Sequence, residues 1–274
     1  MKTESLAKNY LISTDLDGTL LDHNTYSHKA AAPALKLCQQ NKVPIIFNTS
    51  KTPTESIRLR EELNNQHPFI VENGSAVAIP LTYFKHRPEA CYELHGYWVR
   101  CFGQNRAKIL EKLAVINQDK TFNYVGFSSW TAAQIAEHTG LSTSMAMEAN
   151  ERDFSEPFLW QDSEEKLKEF KRQLKQQGLI VLRGGRFYHV LGDANKGKAI
   201  NWLKALYEES SQQTFSLISL GDSDNDIDML EAADIAIVVK SPVRPAPKLS
   251  GKNKVIHTNM CGPIGWNEAI SALF

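Results

Sequence analysis

Two blocks in which short apolar runs alternate with helical stretches, separated by a middle that lacks this rhythm, constrain the 274-residue chain most strongly. In the first block, Tyr10 to Thr14 reads as a buried strand, followed by a helix from about Ser27 to Gln40 and a second strand from Val43 to Phe47. A helix over Thr52 to Asn64 opens at Pro53 and precedes a third apolar run, Phe69 to Val71. The last block repeats the pattern with a helix from Lys198 to Ser210, a strand at Ser216 to Leu220, a helix across Asp226 to Ala232 and a strand at Ile235 to Val239. Such alternation builds a parallel sheet with right-handed crossovers. The expected fold is therefore α/β, a Rossmann-like parallel-sheet core made by residues 1–83 and 190–274.

Residues 84–189 read as an inserted α+β domain. Helical patterns cover Gln104 to Gln118, Thr131 to Glu137 and Ser163 to Gln177, the last with Leu167, Phe170 and Leu174 on one stripe. Leu179 to Leu182 and Phe187 to Leu191 flank Arg183-Gly184-Gly185-Arg186 and read as a hairpin with a Gly-Gly turn. The aromatic stretch Tyr83, Tyr92, Tyr97, Trp98 and Phe102 is expected to pack the core of this small domain. Ser241 to Lys254, with three prolines and four basic residues, reads as a surface loop.

Charge excludes some functions. With 31 Lys+Arg against 31 Asp+Glu the chain lacks the broad basic field that nucleic acid or an anionic membrane requires, so any cationic site is small and placed. No segment approaches the roughly 20 apolar residues that span a bilayer, and the polar start is no signal peptide. Cys38, Cys91, Cys101 and Cys261 lie far apart and read as free thiols in a reducing compartment, so a soluble, cytoplasmic protein is expected.

The chemistry sits where strands end. Asp15-Leu16-Asp17-Gly18-Thr19 follows the first strand directly, at the rim where an open parallel sheet presents its ligand crevice. Gly221-Asp222-Ser223-Asp224-Asn225-Asp226 follows another and brings further carboxylates to that rim, an oxygen-rich set suited to Mg²⁺. It is not an EF-hand, because Ile227 and Ala233 stand where that loop needs its glycine and its bidentate glutamate. Gly192 to Ala199 imitates a phosphate-cradling P-loop but ends in Ala199, which has no hydroxyl for a metal, leaving Lys196 as a single cation at a helix start.

Taken in order, these residues resemble the haloacid dehalogenase-like phosphatases. Asp15 and Asp17 look like the family's first motif, Thr49 the second, Lys196 the third, and Asp222 with Asp226 the fourth, while the insertion is similar to its α+β cap. The resemblance implies a nucleophile, Asp15, that forms an aspartyl-phosphate, and an acid/base, Asp17, a task that calls for a neighbouring carboxylate and partial burial to raise its proton affinity. It further implies that Thr49 and Lys196 hold the phosphate, that Asp15, Asp222 and the Asp17 main-chain carbonyl hold Mg²⁺, and that Asp226 orients Lys196 or metal-bound water.

Thr49-Ser50-Lys51-Thr52, Glu72-Asn73-Gly74, Ser155-Glu156-Pro157-Phe158, Gly185-Arg186-Phe187-Tyr188-His189 and Gly262-Pro263-Ile264-Gly265-Trp266 look like the mannosyl-3-phosphoglycerate phosphatase branch. That branch implies a phosphorylated sugar-glycerate as the small-molecule substrate. Glucosyl-3-phosphoglycerate and other sugar phosphates are the alternatives, and a phosphomutase is a further one. The candidate substrate contacts are Ser50, Lys51, Glu72, Asn73, Arg183, Arg186 and His189, with Glu151, Arg152 and Glu156 as further sugar-binding candidates. Arg183 and Arg186, opposed across the turn, would be relieved by a glycerate carboxylate. Arg186→Ala is accordingly expected to raise KM for a glycerate-bearing ester far more than for a small generic phosphate ester, as steady-state kinetics on the two would show.

Overall fold

The computed structural model describes residues 9–184, 187–251 and 255–274. Strand β1 (Asn9–Thr14) leads into α1 (Ala32–Gln40), β2 (Ile45–Phe47) and α2 (Pro53–Glu62). A capping box starts α2: the Thr52 hydroxyl accepts from Glu55 N at 3.1 Å, the Glu55 carboxylate accepts from Thr52 N at 2.9 Å, and Pro53 occupies the first turn. Strand β3 (Phe69–Val71) touches the sheet by one parallel bridge, Asn48 to Ile70, before the chain reverses and pairs antiparallel with β4 (Ala76–Pro80).

Strands β5 (Tyr92–Leu94) and β6 (Tyr97–Cys101) complete an antiparallel sheet of order β3-β4-β6-β5. Backbone pairing of β6 with β4 ties Tyr97–Cys101, which lie past the expected boundary at residue 84, to the strand that follows β3. The aromatics follow: Tyr97 meets Phe69 edge-on at 5.2 Å and Phe102 meets Trp202 at 5.7 Å, so they pack the core's flank and not the cap.

The cap comprises α3 (Arg106–Ile116), β7 (Tyr124–Gly126), α4 (Ala132–Thr139), α5 (Thr143–Asn150), β8 (Ser155–Trp160), α6 (Glu164–Gln176), β9 (Leu179–Arg183) and β10 (Tyr188–Gly192). Its sheet is antiparallel, order β7-β8-β10-β9. Leu167, Phe170 and Leu174 of α6 are buried with Phe158 and Val190, each worth roughly 1.5–3 kcal/mol as an upper estimate. Strand β10 runs three residues beyond the expected boundary at 189. A Cβ on Gly192 would lie 2.7 Å from Gln104 N and Gly103 Cα, so the two connections leave the core pressed together.

The chain then returns through α7 (Lys196–Ser211), β11 (Phe215–Gly221), α8 (Ile227–Ala232), β12 (Ile235–Lys240), β13 (Val255–Cys261) and α9 (Gly262–Ser271). The central sheet is parallel, order β13-β12-β11-β1-β2. Both faces are covered, one burying Ile12, Ile218 and Trp266 and the other Leu11, Leu217 and Leu203, which is why β1, β2, β11 and β12 are largely apolar, while β13 at the edge is not. Among the described residues no helix is long and apolar enough to cross a membrane.

On the flank of this core His67 Nδ1 lies 2.6 Å from the Tyr83 hydroxyl, itself 2.7 Å from that of Tyr207. Burial, aided by Arg60, pushes the imidazole down to about 4. Between the ordinary histidine value near 6.5 and that value the unfolded chain binds the extra proton, so stability is full above pH 6.5 and falls as pH drops toward 4. The loss from this group is about 3 kcal/mol, and urea titrations across that range should show His67→Gln flattening the profile.

Candidate active site

Pairing of β1 with β11 sets their C-terminal ends side by side, and Asp15 N donates to Leu220 O at 2.9 Å. The strand end is fixed from behind by buried Trp266, whose indole donates to Thr14 Oγ1 at 3.1 Å. Lys196 opens α7, with Asn195 as N-cap, and its carbonyl accepts from the Asn48 amide at 3.1 Å. Its ammonium lies 2.6 Å from both Asp15 Oδ1 and Asp226 Oδ1, and all three side chains are buried. Asp226 Oδ2 accepts from the backbone N–H groups of Asp222 and Ser223, each at 3.1 Å, so both its oxygens are engaged.

Glycine is required at two places. Gly18 has φ +83°, and a Cβ there would stand 2.8 Å from the Asp222 carboxylate. Gly74, at φ +86°, lies against the backbone of Asn195 and Lys196, where a Cβ would come as near as 2.2 Å. With Glu72 (φ +48°) and Asn73 (φ +60°) it forms a left-handed turn on the rim.

Asp15, Asp222 and Asp226 offer carboxylate oxygens within 4.8 Å of one another. Burial pushes Asp15 well above the usual carboxylate range, with Lys196 pulling against it and Asp226 and Asp222 adding to the rise. Burial and then Asp226 push Asp222 up to about 6. Set against the single ammonium of Lys196, this all-oxygen donor set suits a hard divalent cation, whose charge would favour the ionised state of the carboxylates. Asp224 is exposed, and Lys198 turns out to Asp193 at 3.0 Å, so neither joins the cluster and no P-loop forms.

Above the cluster lies a cavity of about 350 Å³, floored by Asp15, Asp17, Ser50, Lys51, Asp222 and Asn225 and roofed by cap residues including Phe127, Leu141, Arg152, Phe187 and His189. Thr49 is buried beside it, its hydroxyl accepting from Lys51 N at 3.2 Å. Asp17 has a cation for its neighbour: Lys51 Nζ, from the loop between β2 and α2, is 2.9 Å from its Oδ1. Although burial alone lowers Lys51, Asp17 and Glu55 hold it above its ordinary value. His189 is buried with Nδ1 unpartnered among the described residues, and burial, then Arg152 and Lys196, push it down to about 3.

Three expected substrate contacts are placed elsewhere. Glu72 is fully buried and clasps the cap, accepting from Asp153 N at 2.8 Å, Phe154 N at 3.2 Å and Ser155 Oγ at 2.5 Å, with Arg152 Nε 3.4 Å away. Asn73 accepts from the Asn225 amide at 3.1 Å and supports the fourth-motif loop from outside the cavity. Arg183 is exposed over the Tyr188 ring, because β9 continues through it and registers it with Tyr188, leaving Gly184 N to close the turn on Phe187 O. Arg186, with Gly185, lies outside the described residues. Glu156 is held by Arg106 at 2.7 Å and Glu151 by the Thr54 hydroxyl at 2.8 Å, so both serve the framework. Arg152 both lines the cavity and crosses to the core, donating to Ser50 O at 2.6 Å.

Sequence reasoning missed Arg244, which enters the cavity from the loop after β12, and the framework role of Asn48. For Arg244 a signal existed: a basic residue among prolines just past the carboxyl end of a parallel strand.

Comparison with known proteins accords with this geometry. The haloacid dehalogenase-like hydrolase family matches residues 12–244. A glucosyl-3-phosphoglycerate/mannosyl-3-phosphoglycerate phosphatase of Methanococcoides burtonii is 37% identical over 264 residues, covering 96% of this chain and 97% of that one. A protein of the same description from Persephonella marina is 36% identical over 269 residues, with 95% of each covered. Among solved structures, a phosphatase of the haloalkanoate enzyme superfamily from Bacteroides thetaiotaomicron superposes with a TM-score of 0.66 at 18% identity over 100% of this chain and 97% of that one. A Synechocystis sucrose-phosphatase, determined with sucrose and phosphate, gives 0.58 at 14% identity over 97% and 98%.

Gly74 and Gly96 separate backbone strain from collision. Both have positive φ, but a Cβ at Gly96 meets nothing within 4 Å. Gly96→Ala should cost about 1 kcal/mol, whereas Gly74→Ala should cost over about 2 kcal/mol in urea denaturation and lower turnover by displacing Lys196.

Proposed function

The chain belongs to the haloacid dehalogenase-like hydrolases, and from that membership we propose that it hydrolyses 2-O-mannosyl-3-phosphoglycerate, or its glucosyl counterpart, to the glycosylglycerate and phosphate. It is a phosphoric monoester hydrolase. The observation that carries the mechanism is the buried Asp15–Lys196–Asp226 triad beneath a roofed cavity. The sugar-glycerate is supported by the two curated relatives, which together name both sugars.

In this reading Asp15 attacks phosphorus, the bond to the glycerate oxygen breaks, and Asp17 gives that oxygen its proton. Asp17 then takes a proton from water, whose oxygen displaces Asp15 and releases inorganic phosphate. Thr49, Ser50 and Lys196 hold phosphate oxygens, and Lys196 keeps the nucleophile aimed. Asp15, Asp222 and the Asp17 carbonyl would hold Mg²⁺, with Asp226 outside the ligand set because its oxygens are already engaged. When bound, the ion supplies positive charge against the repulsion between Asp15 and the phosphate. Neutral His189 lines the roof of the cavity on the side left to the ester's sugar. The core-to-cap boundaries belong near Gly103 and Gly192, and a cytoplasmic location without nucleic-acid partners belongs to the same reading.

The decisive assay is phosphate release from the mannosyl ester, its glucosyl analogue and simple sugar phosphates, with Mg²⁺ or EDTA, using Asp15→Asn as the blank. A preference of about 100-fold in kcat/KM for the glycosyl-phosphoglycerates, roughly 2.7 kcal/mol, is expected, and EDTA should abolish it. Metal-dependent release without that preference would discard the substrate and keep the reaction.

A further inference from the structure

A sugar-phosphoglycerate carries two anions, and the phosphate accounts for one. The cavity's described cations are mostly committed within the protein. Lys51 is paired with Asp17 at 2.9 Å and Glu55 at 3.7 Å, and Arg152 is paired with Glu72 at 3.4 Å and bonded to Ser155, Ala149 and Ser50. Lys196, beneath the floor, is held by Asp15 and Asp226. Arg244 is the lining cation with neither an ion pair nor a hydrogen bond to another described residue.

Its setting is built. Pro242, Pro245 and Pro247 surround it, each with φ fixed by its ring, and a residue preceding proline is confined to extended backbone. Pro247 is buried, Leu249 packs beside Leu230 and Val238, and Ser250 binds the Glu231 carboxylate through N at 2.8 Å and Oγ at 2.9 Å. The segment thus presents a half-buried guanidinium, its planar fork matched to a carboxylate, at the Asp222 side of the cavity. Its charge is felt there, drawing Asp222 down against burial.

We propose that Arg244 is a specificity-determining residue that receives the substrate's carboxylate while the phosphate sits on Asp15. The proposal rests on the phosphatase reading for the ester chemistry and not on the identity of the sugar. A suitable probe pair is 3-phosphoglycerate and glycerol 3-phosphate, which differ by carboxylate against hydroxymethyl. Each is measured as a competitive inhibitor of p-nitrophenyl phosphate hydrolysis by the full chain with Mg²⁺. The unaltered protein should hold 3-phosphoglycerate the tighter, and Arg244→Ala should shrink that preference at least tenfold, with Arg244→Lys between them. Lys248→Ala, an exposed cation of the same segment, should leave the preference intact. A preference unchanged in Arg244→Ala would overturn the assignment: with both inhibitors bound as before, Arg244 touches neither, and with both weakened equally it is a phosphate ligand. Failure of the mannosyl and glucosyl esters as substrates would count against the sugar alone, because the inhibitor pair contains none.

Discussion

One buried ammonium organises the catalytic centre. Lys196 stands between two carboxylates at 2.6 Å each, where an unpaired charge would be untenable, and breaking such a buried pair typically costs about 3–5 kcal/mol. The surrounding polar architecture serves to keep the ammonium in place. Asn195 caps its helix, Asn48 takes up its carbonyl, Asp226 is locked by two backbone N–H groups, and Gly74 lets a neighbouring turn approach closely. A cation held this way neutralises part of the acidic cluster without closing the cluster to a metal.

A second constraint joins the two layers of the molecule. The segment after α5 is bound to the core by Glu72 and by Arg152 on Ser50 O, while Arg58 meets Glu148 at 2.9 Å and Thr52 Oγ1 donates to Glu148 O at 3.0 Å. The cavity is therefore bounded by two surfaces whose spacing is set by hydrogen bonds on one side and by the adjoining Gly103 and Gly192 connections on another. The carboxylates belong to the floor, while the roof sets Phe127, Leu141 and Phe187 as an apolar surface beside Arg152 and His189.

Legibility in the sequence followed the strength of the local signal. Strands β1, β2, β11 and β12 of the central sheet and the motif residues at their ends were readable because those strands are largely buried and their ligands gather at one rim. Helix α5 escaped because it buries only Ala146 and Ala149, too weak a stripe to register. Strand β8 was hidden by Pro157, which argues against an inner strand yet stands opposite His189 in the register. Strand β13 has three exposed residues and little apolar alternation. Residue type alone also misled at the site: Glu72 has the chemistry of a sugar ligand, and its destination was decided by the left-handed turn that points it into the cap segment. Arg244 was the converse, a loop arginine by composition that tertiary structure delivers to the cavity.

That left-handed turn joins three tasks on consecutive residues. Glu72 grips the cap, Asn73 steadies Asn225, and Gly74 abuts the backbone of Lys196, so a strain at one end passes through covalent bonds to the other. Mechanically it is a crank with no slack. Variation in what the cavity admits has free play across the roof's apolar side chains and none here, where any adjustment of the grip would turn the group that aims the nucleophile.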